Sequence, residues 1–186
     1  MATPIGHSLL ALAVVRVFGN RTTVPTWHWY LVAVVAANAA DLDFLPGLLV
    51  GDINRFHQGF SHTLLAALIF AALCTFLHRF LACRAWQAGL TGGLCYASHL
   101  VLDFYCHDGR APFGMPLLWP VSDERWNASF SIFSGVTHGS SGDTIAVFVE
   151  DLFSLHNLIA VSKEALFMLP LLLLFAYTSR TYWRKR

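Results

Sequence analysis

Five apolar segments make up most of this chain, and a polypeptide with so much hydrocarbon to bury has few folds open to it. They run roughly from Ile5 to Phe18, Trp27 to Val50, His62 to Cys83, Trp86 to Cys106 and Ala165 to Tyr177. A bilayer span needs about 20 apolar residues, a length the second, third and fourth segments reach. The first and fifth are short, and tilting or flanking residues would have to complete them. Backbone amides in hydrocarbon must bond within their own segment, so each is expected to be a helix. Composition agrees: 56% of residues are hydrophobic and 12% charged, against about 25% charged in soluble domains. Mean hydropathy is +0.55. The expected architecture is an all-α integral membrane bundle of about five apolar helices, one domain over residues 1–186.

A polar insert of about residues 107–162 separates the fourth and fifth segments. Its prolines (Pro112, Pro116, Pro120) and its Gly/Ser-rich run from Gly135 to Gly142 predict loop. Partial alternation over Trp126–Phe133 suggests a short strand or hairpin arm. Asp143 is a candidate N-cap for a helix over Thr144–Val161, with Ile145, Phe148, Leu152, Leu155 and Ile159 on one face. The four cysteines lie in apolar stretches without CxxC spacing and read as small buried hydrophobes. The N-terminus lacks the basic region and cleavage site of a signal peptide. Asn127-Ala-Ser is a glycosylation sequon by pattern alone, and Trp27, Trp29, Trp119 and Trp126 suit interfacial anchoring.

Basic residues orient such a bundle. If all five segments cross, one side receives Arg16, Arg21, Arg79, Arg84, Arg180, Arg184, Lys185 and Arg186. The other receives Arg55, Arg110, Arg125 and Lys163. Eight against four makes the first side cytoplasmic, with the C-terminal tail inside.

Ionisable residues embedded in this apolar frame point to function. His7, Asp41, Asp43, His57, His62, His99 and Asp103 lie in or beside the apolar segments, where unpaired charge is costly. Threaded as above, all fall at the extracytoplasmic end. Histidine and aspartate are ligands for Zn²⁺ or a similar divalent ion. His99-x-x-x-Asp103 places both side chains on one helical face. Asp41-Leu-Asp43, just before Pro46-Gly47, predicts an opened helix. One of its carboxylates could bridge metals while the other orients a histidine. His57 and His62 flank a glycine turn, where Ser61 could cap the third helix. Glu164 opens the fifth segment on the same side and joins the candidate ligands. His28 and His78 fall at the opposite end. His107, His138 and His156 lie in the insert as possible extra ligands or substrate contacts. A net charge of +1 and the lack of any basic–aromatic stripe argue against nucleic-acid binding. No P-loop, GxGxxG or GxSxG is present.

Five motifs carry a resemblance. Ile5-Gly-His7-Ser, Ala40-Asp-Leu-Asp43, Phe56-His-Gln-Gly-Phe-Ser-His-Thr63, Ser98-His-Leu-Val-Leu-Asp103 and Leu117-Leu-Trp-Pro120 resemble, in order, the YdjM-like family. These are bacterial and archaeal membrane proteins described as metal-dependent hydrolases, also called LexA-binding inner-membrane hydrolases. Where the family usually has His-Arg-Gly-Phe-Thr-His, this chain has His-Gln-Gly-Phe-Ser-His. Ligand order is also similar to zinc phospholipase C and P1-type nucleases, though their final His-x-x-x-Asp/Glu pair has no match here.

The resemblance implies a multi-pass protein of the bacterial inner membrane holding one or two divalent ions, zinc first and manganese as an alternative. It implies hydrolysis of a phosphoester, on a lipid headgroup or another membrane-proximal substrate. Asp41 or Asp43 would position or deprotonate the water. Two other readings remain open at this stage: a non-catalytic protein with a structural metal or His–Asp network, and a metal or proton transporter.

Overall fold

The computed structural model describes residues 1–18, 26–81, 83–109 and 111–184. Arg21, Arg110, Lys185 and Arg186, used above in the charge balance, lie outside the described residues. Among the described residues seven α-helices follow one another: α1 (Pro4–Phe18), α2 (Thr26–Asn38), α3 (Phe44–Leu49), α4 (Leu64–Phe76), α5 (Ala85–Phe104), α6 (Ile145–Leu152) and α7 (Leu155–Arg184). Among the described residues there is no strand. The alternating stretch Trp126–Phe133 makes only two isolated bridges, Trp126 to Met115 and Phe133 to Cys106. With a single bridge at each end, no ladder forms, so the expected hairpin arm is instead an extended loop.

α5 is the central helix and packs against α1, α2 and α4, while α7 packs along α1. Small residues make this possible. Gly89, Gly92 and Gly93 of α5 leave no room for a Cβ, which would meet Thr75, Cys74 and Ala71 of α4. On the other side, Ala33, Ala36 and Ala37 of α2 are fully buried with Ala11, Val15 and Cys95. Small residues at these contacts let the helix backbones approach closely. All four cysteines are free thiols.

α2 and α3 form one bent apolar unit, with the chain turning by 47° between Trp27–Asn38 and Ala40–Leu49. The break lies at the 3-10 turn Ala40–Asp43, not at Pro46-Gly47. Pro46 sits in the first turn of α3, where its missing N–H has no intrahelical partner to lose. α4 is capped by Thr63, whose hydroxyl accepts from the Ala66 amide at 3.0 Å. Ser61, the expected cap, is engaged elsewhere.

The fifth apolar segment, short in the sequence, lies in the longest helix. Residues 155–162, expected within the polar insert, belong to α7. Ser162-Lys163-Glu164 lowers local hydropathy without breaking helix geometry. The expected insert helix over 144–161 is interrupted at residues 153–154, and Thr144 rather than Asp143 is the N-cap of α6. The 24 residues Leu155–Thr178 are long and apolar enough to cross a membrane. α1 and α4 are shorter apolar helices. On α7, Leu158, Leu166, Phe167, Leu173, Leu174 and Tyr177 are 55–76% exposed. α2 and α4 likewise expose Trp27, Leu31, Val35, Leu68, Ile69 and Phe76. So much outward-facing hydrocarbon fits lipid as its solvent.

Candidate metal centre

Two histidines face each other through their Nε2 atoms. His99, on the inner face of α5, donates from Nδ1 to the Ala37 carbonyl at 2.7 Å. A carbonyl can only accept, so the proton is fixed on Nδ1, leaving the Nε2 lone pair of a neutral ring unprotonated. His62 ends the 3-10 turn Phe60–His62 before α4. Its Nδ1 lies 2.9 Å from Ser61 Oγ and 3.2 Å from Asp43 Oδ2. Ser61 in turn donates to Asp43 Oδ2 at 2.6 Å. Carboxylate and hydroxyl thus hold the His62 proton on Nδ1, and its Nε2 comes within 3.1 Å of His99 Nε2. Two lone pairs at that distance repel unless a proton or a cation lies between them.

Two carboxylates complete the group. Asp41, in the break between α2 and α3, puts Oδ1 3.6 Å from both Nε2 atoms. Asp103, one helical turn beyond His99, puts Oδ2 3.3 Å from His99 Nε2 and 3.5 Å from His62 Nε2. Both Asp41 oxygens and Asp103 Oδ2 are buried without a hydrogen-bond donor. One donor atom from each of the four residues lies within 4.8 Å of all the others. Zinc ligands at 2.0–2.1 Å in a tetrahedron stand about 3.3 Å apart. The His–His and His–carboxylate separations in this site, 3.1 to 3.6 Å, match that spacing. The donor set fits a divalent ion in geometry and chemistry.

The remaining candidates surround this group. Asp103 Oδ1 accepts from the Ala2 amide at 2.6 Å and lies 3.4 Å from His7 Nε2. His7 is fully buried, stacks on His99 at 3.8 Å, and has no hydrogen bond on either nitrogen. Asp103 therefore faces the four-donor group with one oxygen and His7 with the other. Asp43 accepts from Ser61 and the Gln58 amide and pairs with His57 Nδ1 at 2.9 Å. With His57 and His62 it forms a second compact triplet. His57 stacks on Phe44 at 4.0 Å. Burial pushes the pKa of His57 down, more than Asp43 pushes it up. Burial also works against a charged His62, but hydrogen bonds with Asp103, Asp41 and Asp43 together hold its pKa well above the ordinary histidine value.

Glu164 is not among these four donors but lies beside them, on Thr3 next to the Ala2–Asp103 contact. It is almost fully buried and accepts from the Thr3 amide and hydroxyl, anchoring the chain before α1. A Cβ on Gly6 would collide with it. Of the insert histidines, His138 is buried edge-on to His57 at 5.1 Å, with Nδ1 held by Asn54 at 2.8 Å. His107 and His156 line a polar cavity of about 470 Å³ together with Asp143 and Asp151. His28 stacks on Trp27, and His78 bonds the Cys83 carbonyl, both apart from the cluster. The sequence reading missed Ala37 and Ala2, which act through backbone groups that carry no residue signature. Ser61 was singled out, but for capping.

Two cavities reach the cluster. One, of about 540 Å³, touches Asp43, His57 and Ser61 and is flanked by Arg55 and Arg125. The other, of about 350 Å³, touches Asp41 and is walled by Pro4, Phe44, Phe148, Leu152 and Val161.

The family described as YdjM inner membrane protein matches residues 1–186. Inner membrane protein YbcI of Escherichia coli (strain K12) is 29% identical over 140 residues, covering 71% of this chain and 75% of the relative. Inner membrane protein YdjM of the same organism is 30% identical over 145 residues, 67% of each chain, and so is YdjM of Shigella flexneri. No solved structure matches. An all-helical chain with a membrane-length helix, a buried His/Asp group and a match along its whole length belongs to the YdjM inner membrane protein family.

Proposed function

We propose that this protein is a membrane-embedded, metal-dependent hydrolase of a phosphoester, on a lipid headgroup or another substrate held at the membrane. The observation that carries the reading is the four-atom group of His62 Nε2, His99 Nε2, Asp41 Oδ1 and Asp103 Oδ2, buried, preorganised and at tetrahedral spacing. Bound there, a divalent ion, zinc or manganese, supplies Lewis-acid polarisation and acidifies water. Asp103 and His7 would hold a second ion.

The chain's own residues divide the remaining work. Asp41 keeps Oδ2 buried and without a hydrogen bond, an acceptor for a proton leaving water. Asp43 holds His62 and His57 in place, as carboxylates behind metal-bound imidazoles do. Arg125, anchored on the Gly114 and Gln58 carbonyls at 2.9 and 3.1 Å, brings positive charge beside residue 58, where the family's usual arginine is glutamine. With Arg55 it favours an anionic substrate in the larger cavity.

In this reading α1, the α2–α3 unit, α4, α5 and α7 cross the inner membrane, and the site opens at the extracytoplasmic face. The test is elemental analysis of detergent-purified protein beside His99→Ala/Asp103→Ala, followed by assays on chromogenic phosphomonoesters and phosphodiesters. One or two equivalents of metal, lost in a folded variant, with metal-dependent turnover, is the expected result. Bound metal without turnover on any ester would favour a structural site. No metal after reconstitution would remove the reading.

A further inference from the structure

The cavity at Asp41 has the wrong chemistry for a water-soluble phosphate. Among the described residues, Asp41 is the only charged side chain lining it, with no lysine or arginine. Its other polar liners are already engaged. Thr3 Oγ1 donates to Glu164, Asn157 is tied to Thr137 and Asp151, and His138 Nδ1 pairs with Asn54. What remains is hydrocarbon: Pro4, Phe44, Phe148, Leu152 and Val161. An apolar cavity of about 350 Å³ ending at one candidate metal ligand is a built passage with an inner terminus.

Its outer end meets apolar surface. Leu152 lines the cavity and is also 42% exposed. The neighbouring Val147, Val149, Phe153, Leu155 and Leu158 are exposed too, and they lead onto α7, the membrane-length helix. The hydrocarbon of the cavity is therefore continuous with the hydrocarbon of the surface. The cationic cavity, by contrast, reaches the cluster through Asp43 and His57.

We infer that the Asp41 cavity seats the hydrocarbon chain of an amphiphilic substrate, drawn from the lipid phase beside α6 and α7, with its anionic head at the four-donor group. The role of the head rests on the metal-hydrolase reading above; the seat for the chain rests on the cavity. Measured from water, a buried chain favours the longer ester over methyl phosphate, so apparent affinity must rise with chain length until the cavity is filled.

The experiment uses the full chain in phosphatidylcholine nanodiscs, loaded with zinc, with methyl phosphate and dodecyl phosphate as probes and empty nanodiscs as the partition control. A dodecyl phosphate carrying a terminal diazirine reports where the chain lies. Expected results are at least tenfold tighter binding of the dodecyl ester and photolabelling of peptides containing Phe148, Leu152 or Val161. Leu152→Trp and Val161→Trp should weaken dodecyl phosphate while leaving methyl phosphate binding and metal content unchanged. Equal affinity for the two esters, or label confined to the outer faces of α4 and α7, would overturn the inference. If the tryptophan variants do not fold, chain-length dependence and labelling of the wild type decide alone. Absence of zinc would defeat the hydrolase reading, whereas label in the cavity would still support the chain seat.

Discussion

His99 Nδ1 donates to the backbone carbonyl of Ala37 at 2.7 Å, and this one bond fixes which nitrogen of His99 faces the centre of the bundle. It depends on α2 lying close against α5, which the alanines of α2 permit. A larger residue at position 33 or 36 would push the acceptor away and free the ring.

Metal retention should separate the cluster residues by role. Asp41→Asn and His62→Ala remove donors from the four-atom group and are expected to abolish stoichiometric metal. Asp43→Asn keeps every donor but loosens His62, so affinity should fall about 10–100-fold. Glu164→Gln, facing Thr3 instead, should leave metal content unchanged. Chelator competition with elemental analysis reads all four; metal loss in Glu164→Gln would count against the assignment.

Glu164 should matter for stability. Glu164→Ala leaves the buried Thr3 amide and hydroxyl without their acceptor. Each unsatisfied buried group costs about 1–3 kcal/mol. A lowered Tm and faster proteolysis at residues 1–3 are expected, and wild-type Tm in this variant would refute the anchor.

The α4–α5 contact should not tolerate a methyl group. In Gly92→Ala the new Cβ meets Cys74, and in Gly89→Ala it meets Thr75. Overpacking costs about 1–3 kcal/mol, enough to lower the melting temperature measured by size-exclusion survival after heating. Gly51→Ala, whose Cβ meets nothing within 4 Å, controls for space but carries backbone strain at φ +76°. Leu68→Ala, on an exposed position of α4, is the better neutral control.

Metal-free protein should have a stability optimum in pH. His62 has a raised folded pKa, so its contribution is complete below about 6.5 and is lost as pH rises towards the folded value. His57 has a lowered folded pKa, so its contribution is present above about 6.5 and is lost as pH falls through that window. Chemical or thermal unfolding of chelator-treated protein from pH 5 to 9 should show decline on both sides of neutrality. A flat profile would contradict these two environments.

Topology can be read with fusions. A C-terminal fluorescent protein should be bright and a C-terminal alkaline phosphatase inactive, since the tail carries the basic residues expected inside. The opposite pair of results would invert the bundle and place the metal group at the cytoplasmic face.

Much of the candidate site could be anticipated because its chemistry is expensive. Histidine and aspartate inside apolar segments announce themselves, and the four-residue spacing of His99 and Asp103 brings both to one face. Asp41-Leu-Asp43 marked the opened helix, and the chain bends there, ahead of Pro46. The extent of α7 was hidden by Ser162-Lys163-Glu164, because hydropathy registers polar residues that helix geometry tolerates. Division of labour within the cluster was not legible either: Asp41 and Asp43 are two residues apart, yet one faces the Nε2 atoms of His62 and His99 and the other braces the far side of His62.

The sequence by itself determined an all-helical, lipid-suited chain carrying His and Asp where only partners or a metal can sustain them, because burial energetics act on residue type. Only the tertiary structure decided which atoms meet. Tautomers depend on backbone carbonyls such as that of Ala37, carboxylate roles depend on the direction of a turn, and cavities form only where separate helices meet.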